Sequence, residues 1–439
     1  MPWAFTVEAV ILAAGFGRGL EPVTHTRPKP LIPMLDRSLL EIHLEALRKV
    51  GSVKRVVVVA SYLIDRVRER VKDIEDRYPF ELRVVDEGKP LGTAHALLKG
   101  LESVKEEDVL VIYVDSIYTT KDLVSIANDS SPYTVAAYRV SDPRDYGVLI
   151  CDSLGYVRDV IEKPSQPISN VVNAGVYKVK IDIVRYLEKV EPSPRGEYEL
   201  TDVMRLLPRH GVPVRVFELQ YWRDVGKVWK YLEYSVEVLK EQVREQTILG
   251  RVEENVKMVG PVYIGEGAEI LSGTYIAGPA YIGRGAVIGP NAYIRPGSII
   301  LENSRIGFSV EVKESIVMER VHASHLSYIG DSIVCEGSNL GAGTILANLR
   351  LDDREVKVRI KGVKVATGRR KLGGLIGGYV KTGVNVSINP GVKVGAYSRI
   401  FPGLTIYEDV PPCHVVKSDG SLSPLHKEEC FIDTTIWTV

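Results

Sequence analysis

Eight isoleucines, Ile264, Ile270, Ile276, Ile282, Ile288, Ile294, Ile300 and Ile306, stand at a strict period of six in the second half of this 439-residue chain. A helix that turns every 3.6 residues cannot bring such positions to one face, so the segment is not α-helical. Two residues before them sit mostly small side chains: Ala268, Thr274, Ala280, Ala286, Ala292, Ser298 and Ser304. Glycines follow several of them, at 265, 283, 289 and 307, where a coil would turn its corners. This is the pattern of a parallel β-helix of hexapeptide repeats, each rung setting its isoleucine into one continuous apolar core. The repeat weakens after Val312 and returns at Ile376, Ile388, Val394, Ile400 and Ile406.

The first half follows another rule. Short β-branched runs, Val7 to Leu12, Arg55 to Ala60, Val109 to Val114 and Thr134 to Tyr138, alternate with helical stretches such as Ser38 to Val50. That alternation predicts an α/β domain with a Rossmann-like, mostly parallel sheet over residues 1–230. Glu233 to Thr247 reads as a helix, within a linking segment 231–250. The β-helix is expected over 251–410 and a tail without pattern over 411–439.

Charge and cysteine usage narrow the function. The chain balances 56 Lys+Arg against 56 Asp+Glu, which excludes a bulk polyanion binder such as a general nucleic-acid protein. The apolar run Ala9 to Ala14 is too short to span a membrane, and the first eight residues carry no Lys or Arg for a signal peptide, so the expected location is cytoplasmic. Cys151, Cys335, Cys413 and Cys430 form no Cys-x-x-Cys pair. Free thiols are therefore expected, with a Cys413 to Cys430 bridge as the alternative. Four glutamines beside 22 tyrosines hint at a thermophile.

Ligands of parallel α/β sheets bind beyond the carboxyl ends of strands, which directs attention to Leu12, Ala13, Gly15 and Gly17 and to Val114-Asp115. Glycines 15 and 17 let backbone N–H groups approach phosphate oxygens, and Lys29 can neutralise a triphosphate. A lone Gly-x-Gly fits any tight turn. The whole run from Leu12 through Arg18 to Lys29-Pro30, however, resembles the signature of sugar-1-phosphate nucleotidyltransferases. Further segments match that family in order. These are Leu91-Gly92-Thr93-Ala94, Val114-Asp115, Asp145-Tyr146-Gly147-Val148, Ile161-Glu162-Lys163-Pro164, Asn173-Ala174-Gly175, Glu199-Leu200-Thr201-Asp202 and Trp222-Arg223-Asp224.

The resemblance implies that Leu12, Ala13, Gly15, Gly17, Glu87, Gly92 and Thr93 bind the nucleotide and that Gly147, Glu162, Lys163 and Asn173 hold the sugar phosphate. It implies catalysis by Lys29 and Arg18, and Mg²⁺ on Asp115 and Asp224. Such a reaction consists of alignment and charge neutralisation, as a sugar-phosphate oxygen attacks the α-phosphorus of a nucleoside triphosphate and expels pyrophosphate. Two positions depart from the family. Its signature arginine corresponds to Gly19, with Arg18 one residue earlier; either Gly19 lets Arg18 turn into the missing role, or Arg18 points to solvent and transfer is slow. Its base-reading glutamine corresponds to Glu87, which accepts from the N3–H of uracil or thymine but cannot donate, leaving UTP and dTTP both open.

Within the repeat, His325-Leu326-Ser327-Tyr328-Ile329-Gly330-Asp331 and Asn339 to Asn348 follow the acetyltransferase pattern of bifunctional glucosamine-1-phosphate acetyltransferase/uridylyltransferases. With the first half, the likeness to the archaeal bifunctional sugar-1-phosphate nucleotidylyltransferase/acetyltransferases covers residues 7 to about 410. Hexapeptide-repeat proteins are the left-handed exception to the crossover rule, so the resemblance implies a left-handed parallel β-helix. An amine must lose a proton to attack a thioester, and an imidazole near at hand, His325, suits that task. Arg295 and Lys313 would hold the phosphate, Tyr328 and Asn339 the sugar, and Asn348 either the amine or the developing oxyanion.

Against this stands the plain reading of His322 and His325 as loop histidines and of the asparagines as coil-corner ladders; a metal on the two histidines lacks a third ligand. Residues 350 to 371 hold nine basic and three acidic side chains, a local charge of +6 that suits the phosphates of acetyl-CoA, with Ala342, Arg354 and Lys357 as its implied contacts. The resemblance also implies a homotrimer and substrates that are sugar 1-phosphates, UTP or dTTP, and acetyl-CoA. Two alternatives are an enzyme with one degenerate domain and a non-catalytic subunit like the exchange factors of translation initiation.

Overall fold

A computed structural model describes residues 6–437; the first five positions, part of the expected signal-free N-terminus, and the last two of the tail lie outside the described residues. The chain divides into two compact units. One holds the residues up to Phe16, Pro28–Ile32 and Arg37–Val225; the other holds Gly17–Arg27, Pro33–Asp36 and the chain from Gly226 onward.

In the first unit, the buried run Val7–Leu12 forms the middle of a nine-stranded sheet. It pairs in parallel with Val53–Ala60 on one side and Asp108–Tyr113 on the other. Glu81–Asp86 extends the parallel part, while Val171–Lys180 runs antiparallel beside Asp108–Tyr113. The expected strands and helix are present with ends shifted by one or two residues. Leu39–Val50 starts at a capping box in which Glu41 N donates to Ser38 Oγ (3.3 Å) and Ser38 N donates to Glu41 Oε2 (3.0 Å). Such a cap is worth about 1 kcal/mol.

The second unit carries the coil. Its three sheets have eight, ten and eight strands, with parallel pairing between successive rungs, the layout of a left-handed parallel β-helix. The isoleucine ladder is its core: Ile264, Ile270, Ile276, Ile282, Ile288, Ile294, Ile300 and Ile306 are each 0% exposed, and each buried side chain of this size contributes about 1.5–3 kcal/mol. The fading of the six-residue pattern after Val312 has a geometric cause. Rung partners are eighteen positions apart up to Ile282↔Ile300, but seventeen apart at Ile300↔Val317 and again at Val317↔Val334. Val334 then pairs with Ile376, forty-two positions on, because after the rung strands Asn339–Leu340 and Ile345–Leu346 the chain leaves the coil in an excursion. A bridge between Leu349 and Lys371 closes it, and it contains an antiparallel hairpin of Lys357–Ile360 and Val363–Ala366.

Three expectations are corrected. The helix joining the halves spans Val228–Gln242, and the first rung already begins at Thr247–Ile248, inside the expected linker. The tail is structured. His414–Val416 adds a rung to the ten-stranded sheet, because Val415 and Val416 continue the apolar register of Arg399–Ile400, and Leu422–Pro424 folds back on it. Cys413 and Cys430 are joined by a disulfide with Cα atoms 5.5 Å apart, which overturns the free-thiol expectation for that pair. Seventeen residues of separation say nothing about whether two thiols meet; the turn after Val416 brings them together. Cys151 and Cys335 are free thiols. Among the described residues no helix is long and apolar enough to cross a membrane.

Candidate active sites

In the first unit, parallel pairing of Leu12 with Tyr113 sets the chain after each strand side by side, so Ala13 to Gly15 and Val114-Asp115 leave the same sheet edge together. Ala13 N donates to Val59 O (2.9 Å) and Val114 N to Leu12 O (3.2 Å), fixing both loops. Lys29, at the start of the turn Lys29–Leu31, places Nζ 2.7 Å from Asp115 Oδ2. Burial raises the Asp115 pKa, but the Lys29 ammonium beside it outweighs burial and holds the carboxyl below its ordinary value. The second aspartate arrives through an antiparallel pair in which Ser116 faces Asp224, and Val225 N donates to Asp115 O (2.9 Å). Asp224 also bonds the Tyr146 hydroxyl. Two carboxylates, one just before and one at the end of two paired strands, are the oxygen-only donors that fit the sparse protein ligation of Mg²⁺. Among the described residues no cluster of three or more acidic, His or Cys side chains could hold a metal by itself.

The loop expected to meet the base is held by its own side chains. Glu87 is 5% exposed and accepts from Leu91 N (3.1 Å) and His95 Nδ1 (2.8 Å); burial pushes its pKa up despite His95. Gly92 has φ 127°, and a Cβ there would lie 2.5 Å from Tyr198 O, so only glycine permits this approach. Thr93 Oγ1 accepts from Leu200 N (2.9 Å), which makes its hydroxyl a clasp between the loop and the helix Leu200–Arg209.

The residues expected to hold the sugar phosphate also have partners on neighbouring strands. Gly147 pairs with Glu162 across antiparallel strands. Glu162 accepts from Thr201 Oγ1 (3.2 Å) and from Arg195 (3.2 Å), with Lys163 Nζ 3.8 Å away. Asn173 turns inward, donating to Tyr177 OH (2.6 Å) and accepting from Gly175 N (3.0 Å). Arg195, Glu199 and Thr201 were not singled out from sequence. Arg195 bonds Glu199 at 2.6 Å, and burial together with the Glu162 charge pushes the Glu199 pKa up to about 7 in spite of that arginine. The signal lay in the run Glu199-Leu200-Thr201-Asp202, whose individual side chains had no assigned role.

The signature loop is shared between the units. Leu12 to Phe16 and Lys29 belong to the first, Gly17 to Gly19 to the second. Gly17 has φ 72° and begins the turn Arg18–Leu20. The Arg18 guanidinium donates to the Ile436 carbonyl of the tail at 3.0 Å, neither of the two placements open from sequence. Gly19 is explained by space, since a Cβ there would stand 2.2 Å from Gly226 O. An arginine at 19 has no room.

On the β-helix, rung pairing assembles a second cluster. Glu311 faces Tyr328 and Lys313 faces Gly330 in adjacent coils. Arg295 donates to Glu311 Oε1 at 2.7 Å, one rung earlier. Lys313, Tyr328 and Asn348 meet at one point: Lys313 Nζ lies 2.8 Å from Asp331 Oδ2, and Asn348 Nδ2 bonds both Asp331 Oδ2 and Tyr328 OH, the latter at 3.1 Å. Burial raises the Tyr328 pKa, with the nearby Asp331 and Glu311 charges adding to the rise. His325 ends the exposed strand His322–His325, its carbonyl accepting from Ser327 Oγ (2.9 Å) and Gly343 N (3.2 Å). Asn339 sits on the next coil, facing His322, and Ala342 O accepts from Asn385 N at 2.7 Å.

The basic excursion is less bare than its charge suggests. Arg350 pairs with Asp352, Arg359 and Lys364 with Glu408, Arg370 with Asp353, and Arg369 with Glu314 and Glu233. Arg354 and Lys357 are in none of these pairs and are exposed.

The chain matches the family described as Nucleotidyl transferase over residues 8–241 and the GMPPB C-terminal domain over residues 276–368. It is 45% identical over 405 residues to a bifunctional sugar-1-phosphate nucleotidylyltransferase/acetyltransferase of Sulfurisphaera tokodaii, covering 92% of this chain and 98% of that protein. It is 39% identical to the bifunctional protein GlmU of Methanocaldococcus jannaschii, covering 92% of this chain and 96% of that one. It is 31% identical to the low-salt glycan biosynthesis nucleotidyltransferase Agl11 of Haloferax volcanii over 76% of this chain and 94% of the relative.

Proposed function

Because the chain belongs to the bifunctional sugar-1-phosphate nucleotidylyltransferase/acetyltransferases, we propose that it N-acetylates an amino-sugar 1-phosphate on its β-helix and transfers a nucleotidyl group to the product in its α/β unit. The observation that carries this reading is one chain with two separate constellations, Lys29 with Asp115 and Asp224, and Lys313 with Tyr328 and Asn348.

In the acetyl transfer, Lys313 and Arg295 receive the phosphate of glucosamine 1-phosphate or galactosamine 1-phosphate. His325 takes a proton from the sugar amine as its nitrogen attacks the thioester carbonyl of acetyl-CoA; the C–S bond breaks, and the thiolate of CoA leaves and is protonated. Asn339 and Tyr328 place the sugar ring, and Ala342, Arg354 and Lys357 meet the coenzyme. In the nucleotidyl transfer, Leu12, Ala13, Gly15, Glu87 and Gly92 seat UTP or dTTP, and Glu162, Lys163 and Arg195 align the sugar phosphate. Lys29 neutralises charge as a phosphate oxygen attacks the α-phosphorus and pyrophosphate leaves. Mg²⁺ held by Asp115 and Asp224 would supply charge neutralisation on the triphosphate. The Arg18 guanidinium is engaged by Ile436, which leaves this task chiefly to Lys29. A homotrimer in the cytoplasm is the expected working form.

Two measurements test the reading. Free CoA should appear with acetyl-CoA and glucosamine 1-phosphate, and pyrophosphate should appear from UTP or dTTP with N-acetylglucosamine 1-phosphate only when Mg²⁺ is present. No CoA release across a panel of amino-sugar phosphates sinks the acetyl-transfer half, and no pyrophosphate release sinks the other.

A further inference from the structure

One buried acid on the β-helix has no role in the chemistry above, yet two of the proposed site residues, Lys313 and Asn348, converge on it. Asp331 is 1% exposed and has φ 48°. Its backbone is fixed on both sides: Asp331 N donates to Lys313 O (2.8 Å), and Gly373 N donates to Asp331 O (2.7 Å). Its side chain accepts from Lys313 Nζ at 3.0 and 2.8 Å and from Asn348 Nδ2, and Arg369 stands 3.6 Å from Oδ1. Arg369 is itself braced by Glu314 (3.0 Å) and Glu233 (3.4 Å).

This arrangement decides which way the Asn348 amide faces. A carboxylate in a salt bridge with lysine only accepts hydrogen bonds, so the group it meets must be the amide NH₂. That NH₂ has two hydrogens and two partners, Asp331 Oδ2 and Tyr328 OH. Its donors are spent, and the atom left for substrate is Asn348 Oδ1, an acceptor. An acceptor suits the N–H of an amine and repels an oxyanion.

We infer that Asp331 is a positioning residue for acetyl transfer, turning Asn348 so that its carbonyl oxygen receives the sugar amine while tethering the Lys313 ammonium. The inference rests on the acetyl-transfer reading above and on the role given there to this coil. It also assigns the oxyanion to donors other than the Asn348 side chain, and it gives the half-buried Arg369 of the basic excursion a bracing rather than a coenzyme-binding part.

The test is a double-mutant cycle on the full chain, read as kcat and KM for CoA release from acetyl-CoA and glucosamine 1-phosphate. Asn tolerates a left-handed backbone, so Asp331→Asn keeps the local turn. It lets the amide at 348 flip, and kcat should fall about tenfold or more. In the Asn348→Ala background the same change should cost kcat less than about twofold, because the residue through which it orients the amine is gone, while the loosened Lys313 should raise KM for the sugar phosphate in both backgrounds. Asn348→Asp approaches the contact from the other end: it keeps an outward oxygen but cannot donate to Asp331, and it should lose at least as much activity as Asn348→Ala. A kcat within about twofold of wild type for Asp331→Asn, an equal loss of kcat in both backgrounds, or near-normal activity of Asn348→Asp each overturns the inference. A wild-type protein that releases no CoA overturns the acetyl-transfer reading itself, which separates the two failures.

Discussion

Lys29 Nζ and Asp115 Oδ2 stand 2.7 Å apart at the carboxyl edge of the parallel strands, a cation and an anion brought together by residues 86 positions apart. The lysine keeps the aspartate ionised, and in the proposed reaction it also neutralises phosphate charge. Lys29→Met retains the stem and removes both effects. Nucleotidyl transfer should fall by about 10²–10³ in kcat, as when a transition-state donor is lost, while CoA release from the β-helix reaction stays near wild type. Steady-state pyrophosphate and CoA assays on one preparation check both halves.

Gly19 faces Gly226 O with no space for a side chain. Gly19→Ala should destabilise the protein by about 1–3 kcal/mol through overpacking, and Gly19→Arg by more. Restoring the family's arginine at this position therefore should not raise nucleotidyl transfer. Denaturant unfolding and the rate of pyrophosphate release measure the two outcomes.

His25 is buried, with Nδ1 accepting from Ala396 N at 3.2 Å and its ring centroid 4.7 Å from that of Trp437. Burial, then the Lys393 charge, lower its pKa to about 3; Lys393 is in turn paired with Glu21 at 3.0 Å. A folded pKa below the unfolded value of 6.5 means that the unfolded chain takes up a proton first as pH falls. Stability is complete above pH 6.5 and is lost progressively below it, by about 3 kcal/mol at pH 4. Unfolding free energies of wild type and His25→Asn between pH 7 and 4 should show a slope that the variant lacks.

The Cys413–Cys430 disulfide closes a loop of seventeen residues in the tail. Cross-links of that length stabilise by about 3 kcal/mol. Cys430→Ser should lower stability by up to that amount in non-reducing buffer, and dithiothreitol should reproduce the loss in wild type but not in the variant. Denaturant unfolding in both buffers reads it.

Much of this architecture is legible in the chain because its periods are physical. Isoleucines six apart mark a coil directly, and Val7 to Leu12 is a strand because all six residues are buried. The excursion between Leu349 and Lys371 shows in the sequence as a basic run without the repeat, while the earlier change of rung spacing from eighteen to seventeen erases the six-residue register without altering the fold. Candidate site residues carried by ordered runs, such as Asp115, Glu162 and Tyr328, could be named. Arg195, Glu199 and Asp331 could not. Their importance lies in contacts with residues brought near by pairing across strands, and an acid inside a quoted run has no visible partner until the next coil is laid beside it. The tail was opaque for a similar reason, as a single added rung leaves no repeat to count.

The most direct test of two independent sites in one chain is the ratio of CoA release to pyrophosphate release, measured on Asp115→Asn and His325→Ala against wild type. Asp115→Asn should lose pyrophosphate release by at least about a hundredfold and keep CoA release; His325→Ala should do the reverse, by about 10²–10⁴. Parallel loss of both activities in either variant, or loss of neither, would contradict the assignment of the two chemistries to these two clusters.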